Sequence, residues 1–282
     1  MQQDKFNGDP PGVVTPYVPP QASGIGPELP HLKGLAPFMW LYKGLCDIRS
    51  HPGIAACYGL SFVLMAKMLG TVFQRAPEYT LTLISGCLLV GPFLAMGLYE
   101  VSRRKAQGQI CTLSDSLTCW DTHMRSMAML ILVLMVLELL WGRASLVVFA
   151  VFFNTGMPST TGVVQAIFNP ENREFVCVYL VTGSVFAALV FALSVVSIPM
   201  ILDRDTDAIS AAITSVSLVL ANPLVMLMWG ALICLLVGLA LWPGGLGLLL
   251  IGPWLGHASW HAYRDGVRWP EDPDKLIQSS SI

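Results

Sequence analysis

The stretch LLIGPWLGHASWHAYRD (249–265) indicates the fold class most directly, because its first half is apolar enough for lipid and its second half carries polar and charged residues. It begins with apolar residues and a glycine–proline pair, and it ends with two histidines, aromatic residues and an arginine. The stretch GPFLAMGLYEVSRR (91–104) aligns without a gap with GPWLGHASWHAYRD (252–265). The matched pairs include Pro92 with Pro253, Tyr99 with Trp260, Glu100 with His261 and Arg103 with Arg264. Both stretches are therefore interpreted as the inner end of a transmembrane helix.

The composition of the chain is that of a polytopic membrane protein. Of its 282 residues, 54% are hydrophobic and 12% are charged, and the mean hydropathy is +0.63. Soluble domains have about 25% charged residues, and a charge in hydrocarbon is costly unless it is paired or reaches the headgroups. The net charge of −2, without a long basic run, argues against nucleic acid as a partner.

Six stretches are long and apolar enough to cross a bilayer, which takes about 20 residues of helix. They are residues 54–73, 79–100, 127–153, 175–200, 223–242 and 244–263. Basic residues such as Arg103, Arg104 and Lys105 gather in alternate connections, whereas Arg75 and Arg173 are nearly alone in the others. By the positive-inside rule, the basic connections and both termini lie in the cytoplasm, at the inner membrane of a bacterium.

A short amphipathic stretch precedes the first, third and fifth spans. Residues 37–50, 112–125 and 207–221 mix polar and apolar side chains at roughly helical spacing. They are predicted to be helices lying in the cytoplasmic interface, with plain loops as the alternative. The predicted fold is therefore all-α, with three transmembrane hairpins that each follow an interfacial amphipathic helix.

This order suggests a threefold internal repeat with units at about 37–106, 112–204 and 205–268. The middle unit supplies Pro199, Asp203 and Arg204 in SVVSIPMILDR but departs from the other two. Chance similarity among apolar segments is the alternative. Outside the membrane domain (37–268), the proline-rich residues 1–36 are predicted to be a disordered cytoplasmic tail, and 269–282 a second cytoplasmic tail.

Several stretches together resemble the bacterial predicted integral membrane proteins catalogued as domain of unknown function 2189. They are YGLSFVL (58–64), VGPFLAMGLYEVSRR (90–104), SVVSIPMILDR (194–204) followed by AAITSVSLVLANP (211–223), and GPWLGHASWHAYRD (252–265). The resemblance covers about residues 38–268. It implies a membrane location and several spans, but it implies no established activity.

Members of that family are often labelled automatically as cytochrome c oxidase subunit I, and the histidine content tests this label. A haem-copper catalytic subunit needs several intramembrane imidazoles on about twelve spans. This chain has five histidines in all. His31 lies in the tail, and His51 and His123 precede spans. The chain is therefore predicted to be an accessory of such a complex at most.

His257 and His261 are the candidate metal or haem ligands. They are four residues apart and share one face of a helix, as the paired histidines of zinc helices do. The candidates for the remaining ligands, all predicted on the inner side, are His51, His123, Glu100 and Asp203. The alternative is a polar helix end in which His257 bonds a backbone carbonyl, Trp260 and Tyr263 lie in an aromatic belt and Arg264 reaches the headgroups.

Three charged residues lie within the predicted spans: Lys67, Glu138 and Arg143. Glu138 and Arg143 are five residues apart and project in different directions, so Glu138 is predicted to meet Lys67 across a helix interface. Intramembrane ionisable groups are candidates for a proton or solute path. A structural ion pair is the alternative.

The sequence contains no nucleophile elbow, phosphate-binding loop or dinucleotide-binding glycine motif, so no catalytic residue is predicted. The first functional hypothesis is a non-enzymatic scaffold or accessory subunit of a membrane complex, such as a respiratory or other energy-transducing complex, whose partners are the lipid bilayer and other membrane subunits. The second is a transporter of a small solute, ion or lipid. The third is a metal- or haem-binding membrane protein built on the inner histidines.

Overall fold

A computed structural model describes residues 26–76, 79–153 and 172–269 of the chain, and these residues form ten α-helices. The helices are α1 (Ala36–Ser50), α2 (Pro52–Arg75), α3 (Thr80–Ala106), α4 (Leu113–Thr118), α5 (Met124–Phe152), α6 (Arg173–Ser194), α7 (Ser197–Arg204), α8 (Ala208–Ala221), α9 (Pro223–Leu241) and α10 (Leu248–Gly266). A 3₁₀ turn over Asp121–His123 leads into α5. The prediction of an all-α protein is confirmed over this part of the chain.

Five helical segments in the described part are long and apolar enough to cross a membrane. They correspond to the first five predicted spans. The sixth, α10, does not meet this criterion, because the polar residues of its second half lower its mean hydropathy. It also begins later than predicted, since Gly244 and Gly245 adopt positive φ angles and turn the chain after α9.

The predicted fourth span, residues 175–200, is broken near its inner end. α6 ends at Ser194, and the separate helix α7 begins at Ser197. Pro199 lies in the first turn of α7, where a proline is tolerated because its missing N–H would have no intrahelical partner. Pro92 and Pro253, by contrast, lie inside the continuous helices α3 and α10.

The short helices α1, α4 and α8 occupy the three stretches predicted to be interfacial. The middle one is shorter than predicted, because α4 ends at Thr118. Thr112 and Asp115 form a capping box at its start, and Asp207 caps α8 by accepting a hydrogen bond from the Ser210 amide. The end of the molecule at which α1, α4 and α8 lie is called the short-helix end below.

The order of a short helix followed by two long segments occurs three times in the described chain, and the junctions share a backbone geometry. His51 joins α1 to α2 with φ −133° and ψ 60°, and Asn222 joins α8 to α9 with φ −133° and ψ 55°. Each precedes a proline, which disfavours the helical conformation in the residue before it. His123 occupies the corresponding place before α5, with φ −110° and ψ 9°.

Counted from these junctions, the same positions are buried in different units. Trp40, Gly44 and Asp47 of α1 correspond to Ala211, Ser215 and Leu218 of α8, and all six are buried. In the following helices, Ala55, Met127 and Met226 correspond, as do Tyr58, Leu130 and Trp229, and all six are buried. The three units therefore bury equivalent faces at the short-helix end.

The units pack in a ring. α4 packs on α3, α8 packs on α6 and α7, and α1 packs on α10, so each short helix contacts the last long segment of another unit. At the centre, residues 96–102 of α3 and 195–203 around α7 are continuously buried. α10 adds buried residues at helical spacing. The main hydrophobic core therefore lies at the short-helix end.

Residues 26–35, which the sequence places in the tail, contact the helices. The backbones of Glu28 and Arg268 exchange two hydrogen bonds of 2.8 and 3.0 Å. The side chain of Asn222 accepts a bond from the Leu32 amide at 2.8 Å and donates to the Pro30 carbonyl at 3.2 Å. The packed domain therefore includes an extended segment before α1. Residues 1–25 and 270–282 of the predicted tails lie outside the described residues, as does most of the predicted outer loop after α5.

Candidate functional site

A buried polar cluster connects the first and third units at the short-helix end. It consists of Asp47 from α1, Ser102 and Lys105 from α3, and His257 and His261 from α10, and is called the Asp47 cluster below. Asp47 is 4% exposed, Ser102 is 1% exposed and His257 is fully buried. Charged and polar groups are buried in this way only when they are hydrogen-bonded, so the cluster fixes the three helices relative to one another.

Close approach of α1 and α10 allows Asp47 to reach the histidines. Gly44 lies one turn before Asp47, and a Cβ atom on it would lie 2.8 Å from the backbone nitrogen of Ala258. That distance is too short for any side chain, so the helices make this contact only with glycine at position 44. Ala258 is itself fully buried. The sequence of α1 therefore positions the carboxylate through a small neighbour.

The carboxylate of Asp47 accepts hydrogen bonds on both oxygens. One oxygen accepts from the Ser102 hydroxyl at 2.6 Å and from Nε2 of His261 at 2.8 Å. The other accepts from the Lys105 ammonium at 2.9 Å. Burial raises the pKa of Asp47, but hydrogen bonds from His261, Ser102 and Lys105 outweigh it and hold the pKa well below its usual range. Asp47 is therefore ionised at neutral pH.

His257 is attached to the carboxylate through Ser102. Because the Ser102 hydroxyl donates to Asp47, it accepts from Nδ1 of His257 at 2.8 Å, and this assigns the proton of His257 to Nδ1. The opposite ring atom, Nε2, is buried and has no hydrogen-bond partner among the described residues. A buried lone pair without a donor is costly. Nε2 of His257 is therefore an unsatisfied acceptor of the Asp47 cluster.

The two histidines reach one cluster, as their spacing predicts, but they do not point at a common ligand position. His257 bonds Ser102 and His261 bonds Asp47, each at 2.8 Å. In residues 26–76, 79–153 and 172–269, no group of three or more His, Cys, Asp or Glu side chains is placed to hold a metal ion. The arrangement fits a hydrogen-bonded network better than a preformed metal or haem site.

The alternative of a polar helix end in the headgroup region also differs from the structure. Trp260 is 2% exposed and Tyr263 is fully buried, so these rings belong to the core and not to an aromatic belt. His257 bonds a hydroxyl, not a backbone carbonyl. The reason is packing: the second half of α10 is covered by α1 and α3, which a span considered alone does not reveal.

A second polar cluster joins the first and second units. Glu100, which is 1% exposed, accepts from Arg103 and Arg104 at 2.7 Å each. Arg104 also forms a 3.0 Å ion pair with Asp115 of α4. Glu100 is therefore turned toward arginines of its own helix and is not among the partners of the two histidines. The residues matched to Glu100 and Arg103 in α10 are His261 and Arg264, which engage different partners.

A third polar cluster joins the second and third units. Asp203 of α7 accepts a 2.8 Å hydrogen bond from the Tyr263 hydroxyl, and Arg264 lies 3.7 Å from the same oxygen. Arg204 lies 3.4 Å from Asp203 and places its guanidinium over the Trp269 ring at 5.1 Å. Asp203 is therefore part of a contact between units, away from the histidine pair.

The matched aromatic and proline positions have a structural role. Tyr99 and Trp260 are both buried, at 7% and 2% exposed, and Pro92 and Pro253 are buried in their helices. These matched positions of α3 and α10 therefore lie in the common core.

The charges within the predicted spans are not brought together. Glu138 accepts a 3.0 Å hydrogen bond from Ser85 of α3, whereas the ammonium of Lys67 lies beside Gly244. The predicted contact of Glu138 with Lys67 is therefore wrong: α3, and not α2, faces Glu138. The second oxygen of Glu138 has no partner among the described residues. Arg143 is exposed.

Sequence reasoning missed Asp47, Ser102 and Lys105 as members of a site. Asp47 and His261 are 214 residues apart, and nothing in their local sequence connects them. The one available signal was an acidic residue on the face of α1 that also carries Trp40 and Gly44.

The comparisons with known proteins support the membrane assignment and give no activity. No curated protein and no solved structure matches the chain. A family model matches residues 80–203, which run from the start of α3 to Asp203 in α7. The predicted resemblance is therefore confirmed over this range, and not over the whole of residues 38–268. Over residues 80–203 the chain is similar to the family described as predicted integral membrane protein (DUF2189).

Proposed function

We propose that this protein is a non-enzymatic scaffold or accessory subunit that joins other membrane proteins side by side in the bacterial inner membrane. The observation that carries the proposal is the contrast in packing along the long helices. The turns of the long helices at the short-helix end are buried, while most of the remaining length of α2 and α9 contacts little of this chain. A helix held at one end leaves its flanks available to lipid and to other transmembrane helices.

The outer helices α2 and α9 show the contrast best. In their most apolar windows, 11% of the residues of α2 and 22% of those of α9 are buried within the chain. Large side chains such as Leu64 of α2 and Leu227 of α9 are exposed. Exposed apolar surface of this extent marks an interaction face, and in a membrane protein that face contacts lipid or a partner.

The charge distribution supports an orientation with the short-helix end in the cytoplasm. Lys43, Arg49, Arg104, Lys105 and Arg264 all belong to helix segments at that end. Basic residues near the ends of spans are retained on the cytoplasmic side. The three polar clusters and both described chain ends would then face the cytoplasm, and the protein would present its long helices to the bilayer.

The chemistry of the clusters supports a non-enzymatic role. The carboxylates of Asp47, Glu100 and Asp203 accept hydrogen bonds from side chains of this chain. Each belongs to a cluster joining two units, and saturated ion pairs of this kind hold a fold together without offering a reacting group to a substrate. We therefore assign no catalytic residue.

Extraction in a mild detergent, followed by native electrophoresis and mass spectrometry of co-purifying proteins, tests the proposal. We expect stoichiometric membrane subunits, and the respiratory and other energy-transducing complexes are the first to examine. A photoreactive amino acid at Leu64 should form protein adducts, whereas the same amino acid at the buried Met200 should not. Migration of the protein alone, with Leu64 adducts to lipid only, would contradict the proposal.

Metal binding is the second candidate function, and the buried, unpartnered Nε2 of His257 favours it. His261, one helical turn further along α10, would be the second ligand. Metal analysis of the purified protein, alongside a variant carrying His257→Ala and His261→Ala, tests this hypothesis. An equal metal content in the two proteins would exclude it, and an absorbance spectrum of the same samples tests haem.

A further inference from the structure

An apolar cavity of about 300 Å³ lies between α5, α6 and α8. Its walls include Met129, Leu130 and Val133 of α5, Leu193 of α6, and Ala212 and Ile213 of α8. It is separate from the three polar clusters, none of whose residues lines it. The cavity lies near the short-helix end, because its α5 residues belong to the first turns of that helix.

A comparison of the three contacts between units explains why space is left where α8 packs on the second unit. Where α1 packs on the third unit, Trp40 meets Trp229 edge to face, with ring centroids 5.5 Å apart. The corresponding positions where α8 packs on the second unit are Ala211 and Leu130; Leu130 lines the cavity, and Ala211 is followed by Ala212, which also lines it. Two indoles are thus replaced by an alanine and a leucine, and such large-to-small differences leave a void unless the backbone closes it.

The third contact of the same kind is filled. Where α4 packs on the first unit, Tyr58 reaches Ser116 with a 2.8 Å hydrogen bond between the two hydroxyl groups. Phe93 and Trp120 add an edge-to-face pair with ring centroids 5.5 Å apart. Aromatic side chains therefore occupy two of the three equivalent contacts, and the third contains the cavity.

The surroundings of the cavity identify its occupant. Met129, Val133 and Ile213 are exposed as well as lining the cavity, so its mouth is continuous with the apolar outer face of α5. In an integral membrane protein this face contacts the hydrocarbon of the bilayer. An apolar cavity excludes water and leaves its lining atoms without partners, whereas a hydrocarbon chain restores those contacts.

A cationic residue lies where the headgroup of such a lipid would be. Arg125 is exposed and lies one helical turn before Met129, on the same face of α5 and nearer the short-helix end. A guanidinium binds a phosphate through charge-assisted hydrogen bonds. We propose that the cavity holds one acyl chain of an anionic phospholipid whose phosphate is bound by Arg125.

Photolabelling of the full chain in nanodiscs of phosphatidylglycerol tests this site. The probe is a phosphatidylglycerol with a diazirine at the end of one acyl chain, and mass spectrometry maps the labelled peptides. We expect label concentrated on residues 129–133 and 209–217. Label spread evenly over the exposed faces of α2, α5 and α9 would overturn the proposal.

Filling the cavity sharpens the test. Ala212→Trp should lower labelling of these peptides about tenfold, since displacing only two methylene groups of a buried chain changes affinity by that factor. Leu220→Trp, on the same helix but 74% exposed, is the matched control and should label like the wild type. Unchanged labelling in a folded Ala212→Trp protein would overturn the proposal. If that variant does not fold, the wild-type peptide map decides.

The headgroup is tested with a second probe. A diacylglycerol carrying the same diazirine chain should label the cavity peptides several-fold less than the phosphatidylglycerol probe, and Arg125→Ala should remove that difference. Equal labelling by the two probes in the wild type would contradict the phospholipid and assign the cavity to a neutral lipid. This outcome is independent of whether the protein joins a larger complex.

Discussion

The six long segments are buried differently at their two ends, the short-helix end and the opposite end. At the short-helix end, side chains of all three units interdigitate and even Glu100, Asp47 and His257 are buried. Toward the other end, leucines and valines point outward. The difference shows that this chain builds its main core at the short-helix end and leaves apolar flanks of its long helices exposed along the rest of their length.

The largest expected effect comes from the charged centre of the core. Asp47→Ala removes the acceptor for Lys105, His261 and Ser102, and it leaves the partly buried ammonium of Lys105 without its counter-ion. A hydrogen bond to a charged group contributes about 1.5–3 kcal/mol, so the loss of these three should cost about 3–5 kcal/mol. Thermal unfolding in detergent, followed by circular dichroism, should show a lower midpoint.

The matched control for that variant is Asp121→Ala, which changes an exposed acid at the same end of the molecule. It should unfold at the wild-type midpoint, because exposed substitutions usually change stability by less than about 0.5 kcal/mol. If Asp47→Ala also unfolds at the wild-type midpoint, the Asp47 cluster does not hold the first and third units together.

Truncation of two neighbouring residues of α9 compares the stability contributed by the core with that contributed by the lipid-facing surface. Met226 is fully buried and Leu227 is 71% exposed. Truncating Met226 to alanine leaves a cavity in the core and should cost about 2–4 kcal/mol. Leu227→Ala should cost less than about 0.5 kcal/mol in detergent. Equal losses in chemical unfolding would show that the outer flank of α9 is packed as tightly as its inner flank.

Alanine substitutions at two glycines of α2 test how closely the helix backbone is packed at the short-helix end and further along the helix. A Cβ atom on Gly59 would clash with the carbonyl of Leu249 in α10, whereas nothing lies within 4 Å of one on Gly70. Gly59→Ala should therefore destabilise the protein by about 1–3 kcal/mol through forced separation of α2 and α10. Gly70→Ala should stabilise α2 by about 0.5–1 kcal/mol. The two variants should move the unfolding midpoint in opposite directions.

Much of the architecture was predictable because lipid imposes it. Long apolar runs located the first five spans close to their observed bounds. The break before α7 and the late start of α10 were not predicted, since a proline or glycine pair does not by itself specify a kink, a break or a turn.

The site was less predictable, because its members are distant in sequence. His257 and His261 were identified from their helical spacing, but their partners come from α1 and α3. Glu138 was identified as a charge within a span. Its partner Ser85 was not predicted, because the local sequence does not show which helix faces α5. The spacing of residues along a helix predicts which of its faces is buried. It does not predict which other helix packs against that face.

The smallest expected effect is the pH dependence of the core. The pKa of Asp47 is lower in the folded protein than its unfolded value of about 3.9. Its stabilisation is therefore complete above about pH 4 and is lost as the pH falls toward the folded pKa. Other carboxylates also titrate in this range, so the informative quantity is the difference between the wild type and Asp47→Asn.

That difference in unfolding midpoint should be constant between about pH 5 and 7 and should narrow below about pH 4, where the Asp47 carboxylate of the unfolded wild type begins to be protonated while that of the folded protein stays ionised. Leu227 does not titrate, so the difference in unfolding midpoint between the wild type and Leu227→Ala should stay constant over the same pH range. The unfolding midpoints of the three proteins at pH 3.5, 5 and 7 test this prediction. A difference for Asp47→Asn that widens on acidification would mean that burial, and not its hydrogen bonds, dominates the pKa of Asp47.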